Sequence, residues 1–492
     1  AASAGFLWAY AVAVGADVPV VRASTVFTIL LFSRVIHRNG TLLNSLGACA
    51  LLLLAIHPAS LLTPSFQLTF VSVGAIVGIA FPLITNLRKI GSWMPSAAEP
   101  LPPLVSKGLK RFCETLYWRD AMWVFESKRQ IYSGRIFKLP YTRFRGEEIL
   151  QKGAAYLFEG LLVSLIVQIC LLPLGVFYFH RVSFAGVILN LWVGIILAVE
   201  TFAAFAAVVG AQVSDALSLP LARLAEFANT LLLAFPRISV DAGWASVRLP
   251  VYPGAGHAIY LLYFVPVIAA AVIVFRWNPF EPANPLRRRI AIAAGACALA
   301  AAMTILFHPL SSPRADGKLH VEFLDVGQGD SALVTFPNGE TMLIDGGGRA
   351  DFRNTEDDSD AESFEPDVPR IGEAVVSEFL WQRGYSHIDH LVATHADSDH
   401  IQGLADVAAN FDVGNVMIGR TTNGDKDYDA LASVVRRKSI PLSLVSAGET
   451  LDIGGARIEI LNPAAGTDDS DNNNSVVMRI VFGERAFLLT GD

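Results

Sequence analysis

Apolar residues run in long, nearly unbroken blocks through the first 310 positions, whereas beyond them they alternate with polar residues in short stretches between glycine and aspartate turns. The blocks lie at 4–17, 24–36, 41–56, 66–86, 154–178, 184–209, 257–275 and 290–308. A hydrocarbon core takes about 20 helical residues to cross, so the longer blocks predict transmembrane helices. The first three are short and predict tilted, re-entrant or hairpin pieces. A poorer block at 217–235 carries Arg223 and Glu226. Between 87 and 153 the pattern gives way to 13 Lys/Arg, 6 Asp/Glu and the prolines of Trp93-Met94-Pro95 and Glu99-Pro100-Leu101-Pro102-Pro103, which predicts a cytoplasmic or interfacial insertion.

Past Ser311-Ser312-Pro313, strand-type runs are predicted at His320 to Asp325, Ser331 to Phe336, Thr341 to Asp345, His390 to Thr394, Ile458 to Leu461, Val476 to Phe482 and Ala486 to Thr490. Helical patterns at 369–384 and 427–438 lie among them. Interspersed strands and helices predict an α/β sandwich. The acidic run Asp351 to Asp367 has few apolar side chains to offset ordering and reads as a solvated loop. The expected domains are therefore 1–310, a polytopic α-helical membrane bundle with its insertion at 87–153, and 311–492, the sandwich.

Composition and charge sharpen that division. The chain is 53% hydrophobic, with a mean hydropathy of +0.45, more than a soluble core of this size needs. Through Leu310 there are 24 Lys+Arg and 13 Asp+Glu, and beyond it 14 and 32, so a basic membrane half precedes an acidic half. Basic loops suit anionic headgroups or polyanions, and they also fix topology in any inner-membrane protein. Arg34, His37 and Arg38, and later Arg276 with Arg287, Arg288 and Arg289, mark cytoplasmic ends, so the last span carries the chain outward. That orientation requires 217–235 to cross as well. Cysteine-ligated zinc and disulfides are excluded from the acidic half, because Cys49, Cys113, Cys170 and Cys297 all precede it.

The sharpest chemical signal is Thr394-His395-Ala396-Asp397-Ser398-Asp399-His400, directly after the strand-like His390 to Ala393. Two imidazoles and two carboxylates within six residues at a strand end gather ligands for one or two borderline or hard divalent cations. The Gly327-Gln328-Gly329-Asp330 turn reads two ways: small residues that let backbone approach a metal while Asp330 orients a ligand, or a tight turn without a catalytic task. His320, His387 and His390 read as structural or surface residues.

The His395 to His400 run resembles the His-x-His-x-Asp-His signature of the metallo-β-lactamase fold, with Asp397 in the place of the second His. That variant is similar to the form in ComEC-type DNA-internalisation proteins. Phe323-Leu324-Asp325-Val326-Gly327-Gln328-Gly329-Asp330-Ser331, Leu343-Ile344-Asp345-Gly346-Gly347 and Leu488-Leu489-Thr490-Gly491-Asp492 follow in family order. In the first half, Val20-Val21-Arg22-Ala23-Ser24, His57-Pro58, Ser65-Phe66-Gln67-Leu68-Thr69-Phe70 and the stretch Leu161 to Val187 look like the competence-domain pattern of the same family. The resemblance implies an αββα sandwich, incomplete at its C terminus because the family's later histidine loop lies beyond Asp492. Both ends of the chain are expected to be cut.

By the same resemblance, His395 and Asp397 would hold one metal, Asp399 and His400 the other, and Asp492 would bridge them. Zn2+ and Mn2+ are the expected ions, Asp399 would orient the attacking hydroxide beside His400, and Asp345 would be a supporting carboxylate. Asn473 and Asn474 stand where many family enzymes place another histidine, a weaker pair of donors. The implied function is DNA uptake across a bacterial inner membrane, with the metal domain outside. Double-stranded DNA would be received, one strand degraded and the other admitted. A surface DNA receptor and a cytoplasmic motor are the implied partners, and an oligomer is compatible with it. Two rivals stand beside it: a transport or channel protein with a degenerate, structural metallo-hydrolase-like module, and a membrane-bound hydrolase of another phosphoester.

Polar groups are costly in lipid, so Gln67, Gln168, Asn190 and Glu200 are candidates for a translocation path, and interhelical hydrogen bonding is the competing reading for the three amides. Arg22 and Arg181 read as interface residues. Tyr156, Phe158, Phe177, Tyr178, Phe179 and Trp192 suit either base stacking or an interfacial aromatic belt.

Overall fold

The computed structural model describes residues 2–15, 18–35, 41–97, 99–118, 145–282, 284–309, 315–349, 370–420, 424–464 and 472–492. His37, Arg38, the middle of the basic insertion, Ser311-Ser312-Pro313 and the acidic run Asp351 to Asp367 lie outside those residues. The chain forms two compact units: Ala1–Val247 with Ala258–Phe307, and Arg248–His257 with His308–Asp492.

The first unit is helical. Among the described residues, seven helices are long and apolar enough to cross a membrane: Val18–Val35, Pro64–Gly91, Glu148–Phe179, Val193–Ala211, Asp215–Asp241, Gly254–Phe275 and Pro285–Phe307. Two shorter apolar helices, Ser3–Ala13 and Leu42–Ile56, match the short blocks near the start of the chain. The poor block at 217–235 lies inside the 27-residue helix Asp215–Asp241, whereas the block at 184–209 divides into Ala185–Leu189 and Val193–Ala211. Phe202, Phe205 and Leu261 are 75%, 69% and 75% exposed, a surface that lipid rather than water would cover.

The helix Pro64–Gly91 contains a π turn at Ile76–Ala80, just before Pro82, whose ring nitrogen has no proton to donate. The described part of the insertion folds back on the end of this helix. Cys113, on Lys107–Tyr117, is buried with Leu87 and Ile90. The Leu104 N–H donates to the Pro279 carbonyl at 2.8 Å, and Asn86 Nδ2 to the Trp277 carbonyl at 2.6 Å. The insertion and the loop after Phe275 therefore occupy one end of the bundle. Two short strands, β1 (Arg181–Ser183) and β2 (Ser246–Arg248), form a two-stranded sheet.

The second unit has two sheets. β3 (His320–Phe323), β4 (Ala332–Thr335), β5 (Thr341–Ile344), β6 (His387–Ala393), β7 (Asp412–Ile418) and β8 (Leu442–Leu444) lie side by side in chain order. β3, β4 and β5 are antiparallel, and β5 through β8 are parallel. β9 (Thr450–Ile453), β10 (Ala456–Asn462), β11 (Val477–Phe482) and β12 (Arg485–Leu489) form the second, antiparallel sheet. Val334, Met342 and Val392 of the first sheet and Ile458, Ile460 and Ile480 of the second share one buried core between the sheets. The helices Glu378–Gln382, Ser398–Asn410 and Lys426–Lys438 cover the other face of the larger sheet through Leu380, Leu404, Val407 and Leu431. Helix, sheet and sheet are thus three layers of the expected sandwich. No helix among the described residues supplies a fourth.

Arg248–His257, drawn from the stretch before the candidate span Gly254–Phe275 and from its first residues, belongs to this unit. Val251 is fully buried and its N–H donates to the Trp381 carbonyl at 2.9 Å. Arg248 pairs with Glu373 and lies 5.0 Å from the Trp381 ring centroid, and Tyr252 stacks on His308.

Candidate metal centre

The parallel strands carry the centre at their C-terminal ends. β6 ends at Ala393, and Thr394, His395, Ala396 and Asp397 lead into the helix Ser398–Asn410, with Asp397 at its N-cap position. The helix buries His400, Ile401, Leu404 and Val407 along one face, which pins its first turn against the sheet. Glycines permit the close approach of the neighbouring loops. A Cβ on Gly348 would lie 1.7 Å from the Ser398 carbonyl oxygen, and one on Gly329, which has φ of +78°, 1.7 Å from that of Asp399.

Asp345 organises the histidines. It is 1% exposed and sits just after β5 with φ of +59°, a left-handed conformation aspartate tolerates better than most residues. Its Oδ1 accepts from the Thr394 N–H at 2.9 Å, and its Oδ2 accepts from the Thr394 hydroxyl at 2.7 Å and from His400 Nδ1 at 2.9 Å. The threonine hydroxyl has one proton, which goes to the carboxylate. Its oxygen, 2.9 Å from His395 Nδ1, is therefore left to accept from that ring. Both imidazoles thereby carry their proton on Nδ1 and present a bare Nε2.

Those two nitrogens share one space with the last residue. One ligand atom each of His395, His400 and Asp492 lies within 4.8 Å of the others, the one such group of three among the described residues. His400 Nε2 is 3.5 Å from Asp492 Oδ1, His395 Nε2 is 3.4 Å from Asp397 Oδ2, and the rings are 4.2 Å apart. His395 Nε2 is buried with no hydrogen-bond partner among the described residues, which suits an acceptor for a cation. The donor set fits a divalent metal, with neutral imidazoles oriented by a carboxylate and a hydroxyl behind them. Burial alone would lower the His400 pKa, but the bond to Asp345 and the charges of Asp345, Asp492 and Asp399 outweigh it and hold the imidazole above its usual value. A cation would reverse that preference and expel the proton.

The other expected residues are placed less tightly. Asp397 approaches His395 with its side chain 44% exposed, and Asp399 lies in the helix's first turn outside the group of three. Asp330 is exposed, and its carbonyl accepts from the Gly347 N–H at 3.0 Å. Asn474 is buried and lines a small cavity with His395, Thr394 and Arg420, whereas Asn473 is exposed and its carbonyl accepts from Asn462. In the helical unit, Gln67 donates to the Leu61 carbonyl at 2.9 Å, Asn190 lines a cavity, and Glu200 keeps a buried Oε2 with no hydrogen-bond partner among the described residues. The Gln168 side chain is half-buried. The sequence reading left Thr394 without a task, and its one signal is a hydroxyl residue between a strand end and a ligand histidine.

Residues 1–277 match the family model described as competence protein, and residues 324–492 match that of the metallo-beta-lactamase superfamily. ComE operon protein 3 of Bacillus subtilis (strain 168) is 24% identical over 358 residues, 72% of this chain and 43% of the relative, so the chain spans less than half that protein's length. Among solved structures, CmlA, a diiron beta-hydroxylase from Streptomyces venezuelae, is 21% identical over 42% of this chain and 34% of its own, with a TM-score of 0.23. A mutant of the same enzyme is 21% identical, covers 42% and 36%, and has a TM-score of 0.21.

Proposed function

The chain belongs to the competence protein family and carries a metallo-beta-lactamase domain, and from that premise we propose that the complete protein internalises DNA: it receives a duplex outside the cell, hydrolyses one strand at the metal centre and admits the other through the helical unit. The convergence of His395, His400 and Asp492 in a unit fused to the competence bundle carries this reading. Divalent cations there would supply a hydroxide at neutral pH and stabilise charge on a phosphodiester. Asp345 and Thr394 hold both imidazoles as acceptors. Asp397 adds a carboxylate beside His395, and Asp399 is the candidate to orient the attacking water.

Span parity supports an extracytoplasmic metal domain. Four candidate spans separate the basic insertion from the loop after Phe275, so both lie on one side of the membrane, and their hydrogen bonds to each other support this. Basic residues at that end favour the cytoplasmic side for it. Pro285–Phe307 then crosses outward. The stretch that opens at Arg248 lies two candidate crossings before His308, which supports one side for both parts of its unit.

The degenerate-module reading keeps one observation in its favour: Asn474, a weak donor, stands beside His395. Full-length protein assayed for Mn2+- or Zn2+-dependent DNA cleavage, with Asp397→Ala and Asp399→Ala beside it, separates the two. The nuclease reading expects cleavage that both substitutions abolish. Uptake without any cleavage favours the module, and cleavage that survives both substitutions removes the site assignment.

A further inference from the structure

The helical unit contains two cavities of about 570 and 610 Å3, the size of ligand pockets. They share three wall residues, Arg88, Tyr156 and Glu159. The first cavity is charged and aromatic. Arg88 Nε donates to Glu159 Oε1 at 2.6 Å, its second guanidinium contact is to Glu159 Oε2, and Lys152 pairs with Glu148 at 2.8 Å. Among the described residues, two cations, two carboxylates and the rings of Tyr117, Trp118 and Tyr156 thus line one space, with their charges balanced. The second cavity is chiefly apolar, walled by Ile76, Phe81, Ile84, Val163 and Val167, and begins where the π turn Ile76–Ala80 bulges the helix Pro64–Gly91.

A nucleic-acid strand fits this pair poorly. A polyanion needs an excess of cations, and beyond Arg88 phosphates would meet a chiefly apolar wall that offers no second cation among its lining residues. An amphiphile with both charges in its head fits it well. Phosphate matches Arg88 and Lys152, an ammonium matches Glu159 and Glu148 and the aromatic rings, and an acyl chain matches the apolar cavity. The pair also stands at the end of the bundle that carries the basic insertion, where headgroups meet protein.

We propose that the paired cavities at Arg88 and Glu159 are a binding site for a zwitterionic phospholipid with a primary-ammonium headgroup, of the phosphatidylethanolamine class. The site uses none of the metal residues, but Tyr156 and Asn190, candidates for base stacking and for the translocation path, are among its lining residues. Binding would exchange the one internal Arg88–Glu159 pair for two protein–lipid pairs, Arg88–phosphate and Glu159–ammonium.

The test uses full-length protein in liposomes of equal parts phosphatidylethanolamine and phosphatidylglycerol, each in turn carrying a photoreactive group on its glycerol-proximal acyl chain so that the headgroup stays intact. Phosphatidylethanolamine should label peptides containing residues 88–92 or 148–159 about tenfold above phosphatidylglycerol. The double variant Glu148→Gln with Glu159→Gln should erase that preference, and Arg88→Gln should lower labelling by both lipids. Hydrogen exchange of the helix Val193–Ala211 serves as the folding control. Equal labelling by both lipids in the wild-type protein overturns the proposal, as does labelling of these peptides by a photoreactive single-stranded oligonucleotide but by neither lipid.

Discussion

Replacing Asp345 by Asn tests the logic of the metal centre with almost no change in shape. In the wild-type protein the carboxylate accepts three hydrogen bonds, from the Thr394 N–H, the Thr394 hydroxyl and His400 Nδ1, at 2.9, 2.7 and 2.9 Å. An asparagine whose Oδ1 keeps the Thr394 N–H must point its NH2 at the other two groups. Each then has to accept. The proton of His400 moves to Nε2, and the Thr394 hydroxyl, released from Asp345, turns to donate to His395 Nδ1 and moves that ring's proton to Nε2 as well. Both imidazoles would then present N–H groups to the cation. Loss of one orienting partner costs about 10- to 100-fold in metal affinity, so the pair costs between about 100- and 10,000-fold.

Trading charge-assisted bonds for neutral ones costs about 1 kcal/mol each, or about 3 kcal/mol of stability in the metal-free protein. Competition with a chromophoric chelator reads the affinity, and denaturant unfolding under chelator reads the stability. An Asp345→Asn protein that folds and binds Zn2+ or Mn2+ as tightly as wild type would refute the argument that Asp345 sets both tautomers.

Other outcomes follow from the same structure. Gly329→Ala puts a methyl into the Asp399 carbonyl at a left-handed position, so the second unit should lose about 2–5 kcal/mol, read by urea unfolding. Val251→Ala, although it lies between two candidate spans, should weaken the second unit by about 1–3 kcal/mol and raise hydrogen exchange around Trp381 while Val193–Ala211 is unaffected. Burial, with His387 nearby, lowers the His390 pKa despite Asp389 and Glu340. The unfolded chain therefore takes up that proton first as pH falls. Stability attributable to this histidine is present above its ordinary pKa and is lost as pH falls below it, and His390→Gln should flatten that slope.

Much of the architecture was legible in one dimension because solvent choice is a local property. Blocks of 20 apolar residues select lipid whatever their neighbours, so the spans from Pro64–Gly91 onward were visible as blocks. Asp215–Asp241 was doubtful only because Arg223 and Glu226 dilute its hydropathy. Alternation in the second half marked seven strands but missed β7, β8 and β9 and the helix Ser398–Asn410. That helix begins inside the polar ligand run, and Gly403 interrupts its apolar pattern, a glycine the backbone of Gly346 and Gly347 requires.

The ligand histidines were likewise visible by type and spacing, since chemistry of this kind needs its donors close together at a strand end. Which donors converge was not. Asp345 and Thr394 are 49 positions apart and meet only because β5 and β6 pair in parallel, and Asp492 reaches His400 only because the second sheet folds onto the first. The same holds for Val251, whose place beside Trp381 no local periodicity records. Local pattern chose the solvent and the elements of this protein, while long-range packing alone chose the protonation of its histidines and the partners of its loops.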